Sequence, residues 1–269
     1  MSDILCSGDC WTAGNKPRAR WDKDGDFIDH TFPLWPEILS EKLGMGYTNL
    51  GCGGRGNQWI YDRIIDNWNG EKIIFVQWCK FAIWDIGGQT LMMSEIINSM
   101  TEDFKQEDQQ FTVHRKDIRE KRLKIYNTFK ELNLTDIWYN LQYNIRIFNA
   151  FQNFCELNNI QYIQAVKFGP IFDKMSADEK SKIRNFLPRL KRLINEENFI
   201  GFPIFKELRG FTLCDILGDI DLNMYRVGET TNSKGKEWFD PGPNHEGHKI
   251  IADIYYEKWK ELYKYGIDK

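Results

Sequence analysis

The spacing of apolar positions changes repeatedly along the chain, and the changes mark out alternating strands and helices. Ile4-Leu5-Cys6 is a short apolar run ending at Ser7-Gly8-Asp9, the pattern of a buried strand entering a loop. From Trp35-Pro36 the spacing lengthens. Ile38, Leu39 and Leu43 form one helix stripe, with Pro in the first turn and Gly44 and Gly46 as the stop. Tyr47 to Leu50 predicts a second strand. Ile60, Ile64, Ile65 and Trp68 then share a helix face, with Asn57 placed to cap that helix. Ile73-Ile74-Phe75-Val76 is an unbroken apolar run, as expected of a strand covered on both faces. Strand, helix, strand, helix, strand implies a parallel sheet with helices on its faces.

The second half continues the alternation. Trp138, Leu141, Ile145, Phe148 and Phe151 predict an amphipathic helix over 137–158, followed by a strand from Gln161 to Val166. Residues 176–195 predict a surface helix bearing Leu187, Leu190 and Ile194. A last helix, from about 246 to 263, buries Ile250, Ile251, Ile254, Tyr255, Trp259 and Leu262. Residues 87–124 run from Gly-rich through acidic to basic, so 87–135 is expected to be an insertion or lid. Residues 198–222 are apolar and mixed, and their pattern orders nothing. No repeat or linker divides the chain. The expectation is one α/β domain over 1–269, a three-layer α/β/α sandwich on a mostly parallel sheet of about five strands, with a helical insertion.

Composition narrows the function classes. The chain has 269 residues, and its 14% aromatic content, ten Trp included, supplies a large core without disulfide or metal. A net charge of −3 argues against a general nucleic-acid or anionic-membrane binder, since both need a basic field. The basic run from Arg115 to Lys124 is broken by Asp117 and Glu120 and reads as a solvated helix face. No apolar run reaches the ~18–20 residues that span a bilayer, and the N-terminus lacks a secretory pattern. A cytoplasmic location is therefore expected, with the six cysteines reduced.

Sites in open parallel sheets form outside the carboxyl ends of the strands. Three segments with unusual composition end predicted strands here: Ser7 to Gly14, Asn49 to Asn57, and Gln77-Trp78-Cys79. A fourth, Asp240-Pro241-Gly242-Pro243-Asn244-His245-Glu246-Gly247-His248, precedes the last helix. Cys10, Cys52 and Cys79 each follow a strand and, with His245 or His248, are candidates for a zinc site, although no Cys-x-x-Cys spacing supports one. Trp11, Trp59 and Trp78 are candidate pocket walls, with core packing as the alternative. Asp22 to Asp26 resembles a calcium loop, but its twelfth position is Pro33 where Glu is required.

Gly8-Asp9-Cys10-Trp11-Thr12-Ala13-Gly14 resembles the Gly-Asp-Ser-x-Thr-x-Gly block that opens SGNH (GDSL-type) hydrolases. Asn49 to Asn57 resembles their second block, and Asp240 to His248 their closing block. The order and spacing are similar to those of stand-alone SGNH proteins of tailed phages. The resemblance implies a flavodoxin-like sandwich and a hydrolase or acyl transferase acting on an ester-type bond, of a small molecule or a carbohydrate, without a cofactor. It implies Cys10 as nucleophile in place of Ser, and the N–H groups of Cys10 and Gly54 as oxyanion donors. Asp9 would anchor the loop. The family's Asn falls near Phe81, leaving Asn57 as a substitute donor or a helix cap. The family's catalytic His falls on Gly242 or Asp240. His245 is then the nearby base and Asp240 its orienting acid, while His248 matches the tail His. These departures make a non-catalytic binding or structural protein of the same fold the alternative.

Overall fold

The computed structural model describes residues 3–13, 20–21, 27–28, 32–81, 83–86, 89–92, 124–125, 127–129, 131–132, 137–168, 176–218, 229–231, 237–239, 243 and 245–264. In chain order its elements are β1 (Ile4–Gly8), α1 (Cys10–Ala13), β2 (Arg20–Trp21), β3 (Phe27–Ile28), α2 (Trp35–Leu43), β4 (Tyr47–Asn49), α3 (Asn57–Asn67) and β5 (Ile73–Trp78). Next come β6 (Ile83–Ile86), β7 (Gln89–Met92), α4 (Ile137–Leu157), β8 (Gln161–Val166), α5 (Ala177–Leu193) and β9 (Phe199–Ile200). The series closes with α6 (Leu213–Gly218), β10 (Glu229–Thr231), β11 (Glu237–Phe239) and α7 (His245–Trp259).

Five strands form one parallel sheet in the order β4-β1-β5-β8-β9. The alternation of side chains along each strand builds the two outer layers. Ile4, Cys6, Ile73, Phe75, Ile163 and Ala165 face α2 and α7, where Trp35, Leu39, Ile251 and Tyr255 complete the packing. Leu5, Ile74, Val76 and Trp78 face α3, α4 and α5, against Ile60, Ile64, Phe148, Phe151 and Ile183. All six residues of β5 are buried, as a central strand of a three-layer sandwich requires. Within the α2–α7 layer the Trp35 and Tyr255 rings stack at 4.7 Å, and the Tyr255 hydroxyl donates to the Val76 carbonyl of the sheet at 2.8 Å.

Several expectations changed on folding. Residues 198–222 contribute the fifth strand and α6, too short for any periodicity to mark. Within the expected insertion, β7 pairs antiparallel with β6, the strand just before it; most of 87–135 lies outside the described residues. Asn57 is not the cap of α3. Gly56 holds the N-cap position without a side-chain bond, and Asp85 of β6 accepts from the N–H groups of Gly56 and Trp59 at 3.2 and 3.0 Å. The capping acceptor is thus supplied from a separate hairpin. Among the described residues no helix is long and apolar enough to cross a membrane.

Candidate active site

The chain leaves β1 to β4 on one side and then crosses to β5 on the other, so the order reverses at β1. The crevice at the carboxyl ends of β1 and β5 is the switch point where open α/β sheets hold ligands. Four polar or titratable side chains meet there: Asp9 and Cys10 after β1, Cys79 after β5 and Lys167 after β8. Lys167 donates to Asp9 Oδ2 at 2.8 Å and to Cys10 Sγ at 3.0 Å. Cys79 Sγ donates to the same Asp9 oxygen at 3.3 Å. The other oxygen, Asp9 Oδ1, accepts from the Trp11 N–H at 3.1 Å. Asp9 therefore anchors the turn into α1 and pairs with a lysine of which only 4% of the side chain is exposed.

Lys167 is fixed from several sides. Its N–H donates to the Trp78 carbonyl at 2.9 Å, and its carbonyl accepts from the Cys214 N–H at 2.9 Å. The ammonium lies 4.5 Å from the Trp11 ring centre and 5.0 Å from that of Phe168, which hold it as a cation between aromatic faces. Burial opposes its charge, but the Asp9 carboxylate, with the Cys10 and Cys79 sulfurs, outweighs burial and holds its pKa above the ordinary lysine range. Burial and then the Asp9 charge push the Cys10 thiol up, and the Lys167 ammonium pulls it back down. Burial pushes the Cys79 thiol further up. Cys10 is the half-buried member of the pair, whereas Cys79 is buried.

The glycine loop after β4 closes over this corner. The Cys52 N–H donates to the Gly8 carbonyl at 3.0 Å, and Asn49 Nδ2 donates to the Thr12 carbonyl at 2.8 Å. Gly53 is the glycine beside the thiol: a Cβ there would stand 3.4 Å from Cys10 Cβ. Gly54 has φ +73° and open space around it, so it turns the loop rather than touching Cys10. A Cβ on Gly51 would lie 2.4 Å from the Ala13 backbone nitrogen, which cannot move aside. Gly51→Ala is expected to lift the loop from α1 and destabilise the fold by roughly 1–3 kcal/mol. Thermal unfolding measures this, and an unchanged melting temperature would show that the loop yields freely.

The other residues singled out by the sequence take different positions. Trp11 is buried, edge-on to Phe168 at 5.3 Å, and forms the wall behind Lys167. Trp78 is a core residue and no part of a pocket wall, with its indole N–H on Gln164 Oε1 at 2.9 Å and its ring against Phe148 and Phe151. The buried Asn57 amide receives the Cys79 N–H and donates to Asn144 and the Cys79 carbonyl, so its groups are committed to fixing the end of β5. His245 stacks on Phe32 at 5.8 Å and makes no hydrogen bond to Cys10. His248 accepts the Trp35 N–H at Nδ1, 3.2 Å, and is structural. Asp240 lies outside the described residues. Cys52 Sγ points to the Gly53 carbonyl at 3.9 Å, and among the described residues no group of three His, Cys, Asp or Glu side chains is arranged to hold a metal ion. The sequence reading missed Lys167; its one local signal was its place directly after the apolar run from Gln161 to Val166.

The sequence matches no protein-family model and no curated protein. Solved structures with a similar backbone path include a catalytic mutant of Axe2, an acetylxylan esterase from Geobacillus stearothermophilus. It shares 11% identity at a TM-score of 0.45, covering 96% of this chain and 93% of that one. LAE5, an alpha/beta hydrolase enzyme from the metagenome of Lake Arreo, shares 10% identity at 0.44, with 96% and 94% covered. A protein of the G-D-S-L family from Desulfitobacterium hafniense shares 10% at 0.34, with 95% and 98% covered.

Proposed function

We propose that this chain is an SGNH-like hydrolase or acyl transferase that acts on an ester-type bond through the thiol of Cys10. The observation that carries the reading is where that thiol sits. It stands at the sheet's switch point, beside Gly53 of the glycine loop, with an ammonium 3.0 Å from its sulfur. A thiolate there attacks the carbonyl carbon, and the C–S bond forms as the C–O bond breaks. The resulting thioester is released to water in a hydrolase, or to a second acceptor in a transferase. The N–H groups of Cys10 and of the Gly53-Gly54 turn are the donors assigned to the oxyanion, each worth about 3–4 kcal/mol where such donors have been removed. The substrate class is a small ester or an acylated carbohydrate, and the proposed setting is the cytoplasm.

Incubation with 4-nitrophenyl acetate is expected to place one acetyl group on Cys10, labile to hydroxylamine and located by peptide mass spectrometry. Cys10→Ala is expected to lose the label and to lower ester turnover by about a thousandfold or more. Full turnover in Cys10→Ala would remove the thiol from the chemistry. A second reading, a non-catalytic binding protein, draws on one observation: burial and Asp9 push the Cys10 thiol up, away from the reactive range. On that reading Cys10 takes up no acetyl group and reacts with iodoacetamide no faster than Cys52.

A further inference from the structure

The site contains a cation that the resemblance to serine-type hydrolases does not call for. Lys167 touches the sulfur of Cys10 and is anchored by Asp9, while the His245 ring stacks on Phe32 and makes no hydrogen bond to the thiol. We propose that Lys167 is the acid–base residue of this site, in the place that His245 was expected to fill. This rests on the reading of Cys10 as an acyl-carrying nucleophile.

The geometry gives Lys167 two tasks. Among the described residues its ammonium is the one positive group hydrogen-bonded to Sγ, so it balances the charge of the thiolate before attack. When the tetrahedral intermediate collapses, the leaving alkoxide takes a proton from Nζ and departs as the alcohol. The neutral amine then accepts a proton from the water that attacks the thioester. The C–S bond breaks, the acid is released, and the thiolate is restored beside the ammonium. Ester and water become acid and alcohol, with no proton left over.

Asp9 has a matching part. A neutral amine 3.0 Å from a thioester sulfur is itself an acyl acceptor, and transfer to it would end in a dead amide. The bond from Nζ to Asp9 Oδ2 turns the nitrogen toward the carboxylate and favours its charged form. Among the described residues, the titratable groups facing Cys10 and Lys167 are Asp9 from the end of β1 and Cys79 from the end of β5. Lys80, after β5, lies over the Phe168 ring at 5.6 Å. Cys79 hydrogen-bonds to the shared carboxylate and not to Lys167, so it sits behind the reacting pair.

The test compares Asp9→Asn with the double variant Asp9→Asn/Lys167→Met. Asn keeps the Oδ1 acceptor for the Trp11 N–H, and the double variant leaves no buried charge. Asp9→Asn alone strands the Lys167 ammonium and is the less stable of the two, so both are assayed at a temperature where circular dichroism shows each of them folded. Cys10 alkylation by iodoacetamide is followed from pH 5 to 10, and acylation is followed with 4-nitrophenyl acetate and ethyl acetate. Adding Lys167→Met is expected to raise the alkylation midpoint by at least one pH unit. It is expected to slow acylation by ethyl acetate at least tenfold more than acylation by the nitrophenyl ester, whose leaving group needs no proton. A purely structural lysine would slow both esters alike. Asp9→Asn alone is expected to accumulate an acetyl group on Lys167 that hydroxylamine does not remove. Identical midpoints and ester ratios in the two variants, or a larger loss in His245→Gln, would overturn the assignment while Cys10 still acylates. If Cys10 of the wild-type chain takes up no acetyl group, the acyl-transfer reading fails and this assignment falls with it.

Discussion

Lys167→Met, made alone, is expected to cost the folded chain about 3–5 kcal/mol, read as a shift in urea midpoint at pH 7.5. The substitution keeps the buried stem but strands the Asp9 carboxylate, which is 3% exposed and loses its ion-pair partner. Removing one member of a buried pair is far more costly than removing both, because the remaining charge has neither water nor counter-ion. Asp9→Asn/Lys167→Met is therefore expected to recover most of the loss. The pH dependence has a definite sign. A stranded carboxylate escapes its penalty by taking a proton, so the deficit of Lys167→Met should shrink as pH falls toward 4. A deficit under about 1 kcal/mol that stays flat with pH would mean that water reaches the pair and screens it.

The second large effect belongs to His248. Its ring is 3% exposed, and Nδ1 accepts the Trp35 N–H at 3.2 Å, which only an unprotonated nitrogen can do. Burial, with a smaller contribution from His245, lowers its pKa to about 3. Its unfolded pKa is about 6.5. The unfolded chain therefore binds the proton first as pH falls, and stability is lost rather than gained. The contribution is whole above about pH 6.5 and declines toward pH 3 with a limiting slope of about 1.4 kcal/mol per pH unit. His248→Asn keeps an acceptor near the Nδ1 position and removes the titration. Between pH 6.5 and 5, above most carboxylates, the variant should show a markedly flatter stability curve than the wild type. Parallel curves would mean that the folded ring takes up its proton without losing the bond to Trp35.

Both effects arise where two distant segments meet, and this separates what the chain declares locally from what it does not. Ile73 to Val76 was readable as a central strand because an unbroken apolar run satisfies two faces at once. The stop of α2 was readable at Gly44, whose φ of 66° is the left-handed turn that glycine adopts freely. Cys10 was readable as a candidate because its neighbours follow a known block. Asp85, which caps α3 from a hairpin, left no mark near Asn57. Trp78 looked like a possible pocket wall from its place at a strand end, but the two-residue alternation turns it into the core.

The sequence by itself determined the alternation of strands and helices, the parallel sheet that this implies, and the loop that presents Cys10, because each follows from spacing within a few residues. Only the tertiary structure decided that Lys167, 157 positions away, is the partner of that thiol. No periodicity links Asp9, Cys10, Cys79 and Lys167. They meet because β1, β5 and β8 lie side by side in parallel and all end at one edge. An ion pair is strong only where water is excluded, and that exclusion comes from the packed sandwich as a whole rather than from the residues that form the pair.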